Sequence, residues 1–248
     1  MSDGFFVADF PATIEVGSTV VVAGAEAHHM AVRRIRHSEI VTLTDGQGRG
    51  IVGPVVAMSP DHVEIHVDAT EEFHQRGPRL SVIQALPKKD RADQAIDLMT
   101  EVGVHRIIPW QASRCVTRWS EDKAEAGRAK WEKIARESSK QARRLLFPEV
   151  TSLMSTPEVA RLIKNHPTLI MHEKGSNLLS SHLFPQGEEQ VIVIGPEGGL
   201  TESEVDVFRS AGGRVFSMGD TVLRTSTAGA IAITQVRAFW TSQHGQET

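Results

Sequence analysis

Between Thr19 and Asp68 apolar and polar positions alternate over short runs: TVVV, IVTLTD, IVGPVVAM and HVEIHVD. Alternation at period two marks half-buried strands, and Gly46-Gln47-Gly48-Arg49-Gly50 supplies the turn of a hairpin between the second run and the third. This predicts a small β-barrel over residues 1–73, interrupted by one helix from about Ala25 to Arg36. The segment EEFHQRGPR, Glu71 to Arg79, is polar and contains Gly77-Pro78, so it reads as a linker, with 74–79 as its core. From residue 80 the pattern changes. LSVIQAL, a helix at 89–102, VHRIIPW, SRCVTRW, a long helix near 123–146, a short one at 156–165, TLIMHE, QVIVIG, a helix at 201–212, RVFSMG and a helix at 226–241 follow one another. Strands alternating with helices predict an α/β domain with a mostly parallel sheet covered on both faces.

With 248 residues, 40% hydrophobic and 23% charged, the chain has the composition of a globular protein and the length for two modest domains. No apolar run approaches the roughly 18 residues of a membrane span. The start, MSDGFFVADF, lacks the basic and apolar stretches of a signal peptide, so a cytoplasmic location is expected. The single cysteine, Cys115, excludes an intrachain disulfide and a cysteine-rich zinc site; within the apparent strand SRCVTRW it reads as a small buried hydrophobe. His28 and His29 are adjacent and would point apart on a helix, so no metal site is expected.

Net charge is −4, but it is unevenly placed. Residues 1–73 hold 4 Lys+Arg against 11 Asp+Glu, whereas Arg128 to Arg144 carries seven basic residues and two acidic ones. A basic helix on a mildly acidic protein suits docking onto a polyanion. Arg33, Arg34, Arg36 and His37 close the first helix, where cations either complement the helix dipole or form a phosphate-contacting edge. In the long helix Glu137, Gln141 and Arg144 fall on one face, flanked by Lys140 and Arg143. This is either a solvated charged face or an RNA-binding one.

The densest chemistry lies near the C-terminus. VIVIGPEGG ends an apolar strand in a turn where Gly195, Gly198 and Gly199 let a ligand approach bare backbone amides. Thr201 and Glu204 then form a capping box at the next helix start. Met218-Gly219-Asp220-Thr221-Val222-Leu223-Arg224-Thr225-Ser226-Thr227-Ala228 makes a second such loop. Loops at the carboxyl ends of strands are where open α/β sheets hold ligands. No lysine stands in the glycine loop and no GxxxxGK[ST] occurs anywhere, which argues against a nucleoside triphosphate. Arg224 precedes a helix N-terminus, an unfavourable place for a cation, so an anionic substrate or a salt bridge should hold it there. Ala228, Gly229 and Ala230 allow the last helix to pack closely on a neighbour or a second subunit.

These pieces, in this order, resemble one family, the 16S ribosomal RNA (uracil-N3)-methyltransferases of the knotted SPOUT superfamily, RsmE type. The matching stretches are HHMAVRRIRHSEIVTLTDGQGR, ALPKKDRADQAIDLMTEVGVHRIIPW, ESSKQARRLLFPEV, IGPEGGLTESEV and MGDTVLRTSTA, which span nearly the whole chain. The resemblance implies an N-terminal PUA-like barrel and a SPOUT domain whose C-terminal segment forms a trefoil knot, a topology rare enough that no pattern would suggest it. It implies S-adenosyl-L-methionine held by three loops: Met171, His172 and Glu173; Ile194, Gly195, Pro196, Glu197, Gly198 and Gly199; and Met218, Gly219, Leu223, Thr225, Thr227 and Ala228. It further implies a homodimer acting on 16S rRNA within the small ribosomal subunit, at the U1498-type uridine. Arg33, Arg34, Arg36, Lys140, Gln141, Arg143 and Arg144 are its candidate RNA contacts. The chain departs from the family at Ser226, where many members carry glutamate, so a carboxylate there is not essential here.

Uracil N3 carries a proton and its lone pair is delocalised into two carbonyls, so methylation requires proton loss or stabilisation of charge on O2 and O4. Arg224 is the first candidate for that electrostatic role and Arg144 the second. Neither can serve as the base, since arginine holds its proton, and no other residue stands out for it. Two alternatives stay open at this point: a SPOUT enzyme acting on transfer RNA or a 2′-hydroxyl, and a non-catalytic RNA-binding protein of the same fold. The barrel-first order and the ESSKQARRLLFP helix disfavour the former, and intact glycine loops the latter.

Overall fold

The computed structural model describes residues 3–59, 62–175 and 189–244. The chain divides into two compact units, Met1–His74 with Arg136–Phe147, and Gln75–Ala135 with Pro148–Thr248.

In the N-terminal unit β1 (Asp3–Phe6), β2 (Thr19–Ala23), β3 (Ile40–Thr44), β4 (Arg49–Met58), β5 (His62–His66) and β6 (Ala69–Glu72) form one sheet, and α1 (Gly24–Val32) lies between β2 and β3 in sequence. The strand order is β1-β3-β4-β5-β2, with β6 beside β4. The alternation read from sequence is real: β5 buries Val63 and Ile65 and leaves its histidines half-buried. β4 serves two partners. Its first half pairs with β3 and β6 and its second with β5, across an irregularity between Val55 and Ala57 that bends a bulged strand. β1 and β2 end the path without pairing each other, so the expected closed barrel is not found among the described residues.

The helix expected to reach Arg36 stops at Val32. Arg34 takes φ of 57°, and the amides of Arg34 and Ile35 turn back to the carbonyls of Ala31 and Met30. That left-handed residue ends the helix, so Arg33, Arg34, Arg36 and His37 lie in the exposed turn beyond it rather than in its last turn. Residues Arg136–Phe147 join this unit through backbone bonds. The Leu145 carbonyl accepts from the Gly48 amide (3.0 Å) and the Thr44 hydroxyl (3.0 Å), and the Phe147 amide donates to the Gly46 carbonyl (2.8 Å).

The C-terminal unit holds β7 (Arg79–Ala85), β8 (Arg106–Trp110), β9 (Glu149–Val150), β10 (Thr168–Met171), β11 (Glu189–Ile194) and β12 (Arg214–Phe216). Their order is β12-β10-β11-β7-β8-β9, and every pairing is parallel. β7 is buried at every position after Arg79, as a strand covered on both faces must be. Helices α2 (Lys89–Glu101), α3 (Glu121–Gln141), α4 (Thr156–Ile163), α5 (Glu202–Ser210) and α6 (Thr225–His244) complete the fold, the last turns of α3 lying in the N-terminal unit. α6 packs on α2, β7 and β11. A Cβ on Gly229 would stand 2.5 Å from the Met99 sulfur, so only glycine permits that approach. This is the mixed α/β fold with a mostly parallel sheet that the alternation predicts.

Two further expectations fail. SRCVTRW is a loop after β8 rather than a strand: the Cys115 amide turns back to the Ala112 carbonyl, which buries Cys115 in a turn. The long helix ends at Gln141, five residues short of the expected limit, where Arg143 takes φ of 52°. Arg144 therefore does not continue the helical face of Glu137 and Gln141.

Candidate functional site

At the carboxyl ends of β10, β11 and β12 the C-terminal unit opens into a cleft of about 1060 Å³. Three loops wall it. The first begins at Met171 and contributes His172, Glu173 and Lys174; the second runs from Ile194 to Leu200; the third runs from Ser217 to Leu223 and leads to Thr225 and Ala228. The parallel register explains why they meet, since Met171 pairs with both Ile194 and Phe216, so three adjacent strands release their chains at one level.

Specific contacts hold the loops in place. The His172 amide donates to the Phe216 carbonyl (2.9 Å), and the Lys174 amide to the His172 Nδ1 (3.0 Å). In the glycine loop the Glu197 carboxylate accepts from the Lys88 amide (3.0 Å), while the Arg114 guanidinium donates to the carbonyls of Gly198 (3.0 Å) and Leu200 (3.4 Å). Gly199 has φ of 70°, a conformation that disfavours any side chain. Among the described residues, the amides of Glu197 and Gly198 have no hydrogen-bond partner. The capping box read from sequence is present: Thr201 and Glu204 satisfy each other's amides. Glu204 also accepts from the Ser113 amide (2.8 Å), which ties the loop after β8 to the start of α5. Burial pushes the Glu204 carboxyl up, but the bonds from Ser113 and Thr201 outweigh it and hold the carboxyl below its usual value.

Among the described residues the cleft wall carries the carboxylates Glu173, Glu197, Glu202, Asp206 and Asp220 against the cations Arg114, Lys174 and Arg209. Nothing in that balance would neutralise a triphosphate. Apolar side chains of Met171, Ile194, Leu200 and Val205 are buried beneath. A cleft of unpaired amides, apolar surface and carboxylates suits a small ligand with a flat apolar part and a cationic one.

Residues 75–237 match the family described as an RNA methyltransferase domain. The ribosomal RNA small subunit methyltransferase E of Mycobacterium tuberculosis (strain CDC 1551 / Oshkosh) is 34% identical over 235 residues, which cover 92% of this chain and 88% of that protein. The chain belongs to the RNA methyltransferase family. The enzyme of the same description from Bacillus subtilis (strain 168) is 29% identical, covering 90% and 91%. Among solved structures, a ribosomal RNA small subunit methyltransferase E from Neisseria gonorrhoeae bound to S-adenosyl methionine superposes with a TM-score of 0.84 at 25% identity, covering 97% of this chain and 98% of that one.

Against that family the expected residues sort unevenly. Met171, His172, Glu173, Ile194 to Gly199, Met218, Gly219, Leu223, Thr225 and Ala228 all line the cleft; Thr227 and Arg224 do not. The Arg224 carbonyl caps α6, accepting from the amides of Thr227 and Ala228, while its side chain is exposed. Ser226 is buried with its hydroxyl unpaired among the described residues. It does not line the cleft.

In the N-terminal unit Gln141 and Arg143 are exposed and Arg144 is half-buried. Lys140 is a correction to the expected RNA contacts. Its side chain is 4% exposed and lies 3.1 Å from Glu26 and 3.4 Å from Glu137, so its charge is neutralised within the unit. Sequence reasoning missed Arg114, which lines the cleft from the loop after β8, because SRCVTRW was read as a strand. Among the described residues there is no group of histidine, cysteine or carboxylate side chains that could hold a metal ion, and no helix long and apolar enough to cross a membrane.

Proposed function

We propose that this chain transfers the methyl group of S-adenosyl-L-methionine to N3 of one uridine of 16S rRNA, the U1498-type site, in the small ribosomal subunit. The observation that carries this reading is the three-loop cleft, in a chain of the RNA methyltransferase family, with a relative of like fold that binds S-adenosyl methionine. The cofactor fits the residues present. Free amides at Glu197 and Gly198 can bond its polar groups, buried Met171 and Leu200 offer apolar surface to its base, and the wall carboxylates balance its cationic end. Bound there, it supplies an electrophilic methyl on a sulfonium.

The remaining work falls to the chain. Loop amides fix the orientation of the cleft's contents, and alignment of this kind lowers a barrier by several kcal/mol. Arg224, exposed at the rim of the third loop, stabilises negative charge on the uracil carbonyls as N3 loses its proton. Arg144, in the N-terminal unit, is the second residue for that role. Arg33, Arg34, Arg36, Gln141 and Arg143 are exposed in the same unit, and they meet RNA phosphates.

The finer architecture belongs to this proposal too: a PUA-like N-terminal unit, divided near residues 74–79 from a SPOUT domain over 80–248, a trefoil knot and a homodimer. For the knot, support comes from the path after β12. The chain returns from the sheet edge to bond Thr225 to the Gly195 carbonyl (2.8 Å) and to Gln84 of β7. Cytoplasmic location follows from the substrate.

The test is mass spectrometry of 16S rRNA from cells lacking the protein, with purified small subunits and naked rRNA as substrates in vitro. One missing methyluridine, restored by the wild-type protein, is expected. A complete methylation pattern in those cells, or a methyl found on transfer RNA or a 2′-hydroxyl, would overturn it. Arg224→Ala should bind cofactor normally and lose transfer; unchanged transfer removes Arg224 from the mechanism.

A further inference from the structure

Gln84 is the one polar side chain on the last four residues of β7, between buried Ile83 and Ala85, and it is itself fully buried. It pairs in register with Ile194, the residue before the glycine loop. Its Nε2 donates to the Thr225 hydroxyl oxygen (3.0 Å) and to the Ala85 carbonyl (3.0 Å), and the Thr225 hydroxyl donates to the Gly195 carbonyl (2.8 Å). A hydroxyl has one proton. With that proton on Gly195, Thr225 can only accept from Gln84, which fixes the orientation of the amide. The consequence is an unfavourable one: Gln84 Oε1 is buried with no hydrogen-bond partner among the described residues, near Gly229 of α6. An apolar side chain of similar size would avoid that cost.

Resting on the cofactor reading above, we propose that Gln84 is a positioning residue of the cleft. Through Thr225 it sets the spacing between the glycine loop and the third loop, and so the affinity for the cofactor, without touching the cofactor itself. Gly195 in the glycine loop and Thr225 at the start of α6, just after the third loop, both line the cleft 30 residues apart, and the Gln84 amide is what holds the hydroxyl in the orientation that joins them.

The test measures S-adenosylhomocysteine affinity by calorimetry for the wild type, Gln84→Met, Thr225→Val, the double variant and Thr225→Ser. Loss of a hydrogen bond of this kind should weaken binding about three- to ten-fold in Gln84→Met and at least as much in Thr225→Val. If both act through one relay, the double variant should be no weaker than Thr225→Val alone, and Thr225→Ser should recover most of the affinity. In Gln84→Met turnover at saturating cofactor should change little, so the loss appears in KM. Unchanged affinity in folded Gln84→Met, or effects that multiply in the double variant, overturns the proposal. Should Gln84→Met fail to fold, equal affinities for Thr225→Ser and Thr225→Val do so instead. A wild type that binds no S-adenosylhomocysteine defeats the cofactor reading itself.

Discussion

Glu204 ties two segments, the loop after β8 and the start of α5, with one carboxylate. Its Oε1 accepts from the Ser113 amide (2.8 Å) and its Oε2 from the Thr201 amide (2.8 Å), and the side chain is buried. In Glu204→Gln one oxygen becomes an NH2 that faces an N–H donor. A charge-assisted bond is lost and a part-buried N–H is left unpaired, a change of about 1–2 kcal/mol. Urea unfolding followed by the fluorescence of buried Trp110 and Trp131 measures it. The effect should depend on pH in a defined sense. Because the folded carboxyl titrates below its usual value, its contribution is complete above the unfolded pKa of about 4.3 and is lost as pH falls through the folded pKa. The gap between wild type and variant should be constant from neutral pH down to about 5 and then close. A gap under about 0.5 kcal/mol at neutral pH would mean that the bonds are worth less than the typical net value. A gap that persists unchanged through strong acid would mean that the carboxylate is not what titrates. Since Ser113 precedes Arg114, which bonds the Gly198 and Leu200 carbonyls, cofactor affinity should fall with stability.

Gly175→Ala should be among the more damaging single changes near the cleft. The new Cβ would stand 2.4 Å from the Phe216 carbonyl carbon and 2.5 Å from the Ser217 amide, backbone that cannot swing aside; about 2–3 kcal/mol of stability and much of the cofactor affinity should go, as thermal melts with and without S-adenosylhomocysteine would report. Lys140→Met removes the ammonium beside half-buried Glu26, which keeps the Phe6 amide as a donor (3.2 Å), and should cost about 1–2 kcal/mol by chemical denaturation, with Glu26→Gln in the same chain recovering part of it. Asp45 accepts from the amides of Gln47 (2.7 Å) and Arg49 (3.0 Å) and from the Arg49 guanidinium (2.8 Å), so Asp45→Ala should lose about 2 kcal/mol with cofactor affinity unchanged in calorimetry.

Periodicity exposed most elements of both units, because the burial of a side chain on a strand or helix is written in its own spacing. It also placed the two glycine loops and the Thr201–Glu204 capping box, which are local in sequence. It missed β1, β6 and β9, short strands whose four or two residues carry too little alternation to read. It misread SRCVTRW, where alternating residues belong to a turn that buries Cys115 and sends Arg114 to the cleft.

The amino-acid sequence by itself determined the alternation of strands with helices in the C-terminal unit, the glycine turns at the carboxyl ends of β11 and β12, and the family. Tertiary structure decided the rest. Arg34 and Arg143 end their helices by adopting left-handed backbone, with their amides turned back to the Ala31 and Lys140 carbonyls, which arginine's own propensity does not announce. Lys140 reads as a surface cation until Glu26, 114 residues away, is brought beside it. Gln84 reads as an oddity in an apolar strand until Thr225, 141 residues on, gives its amide a partner. For Lys140 and Gln84 the deciding interaction spans a separation over which sequence spacing carries no information, and only the folded chain brings donor and acceptor together.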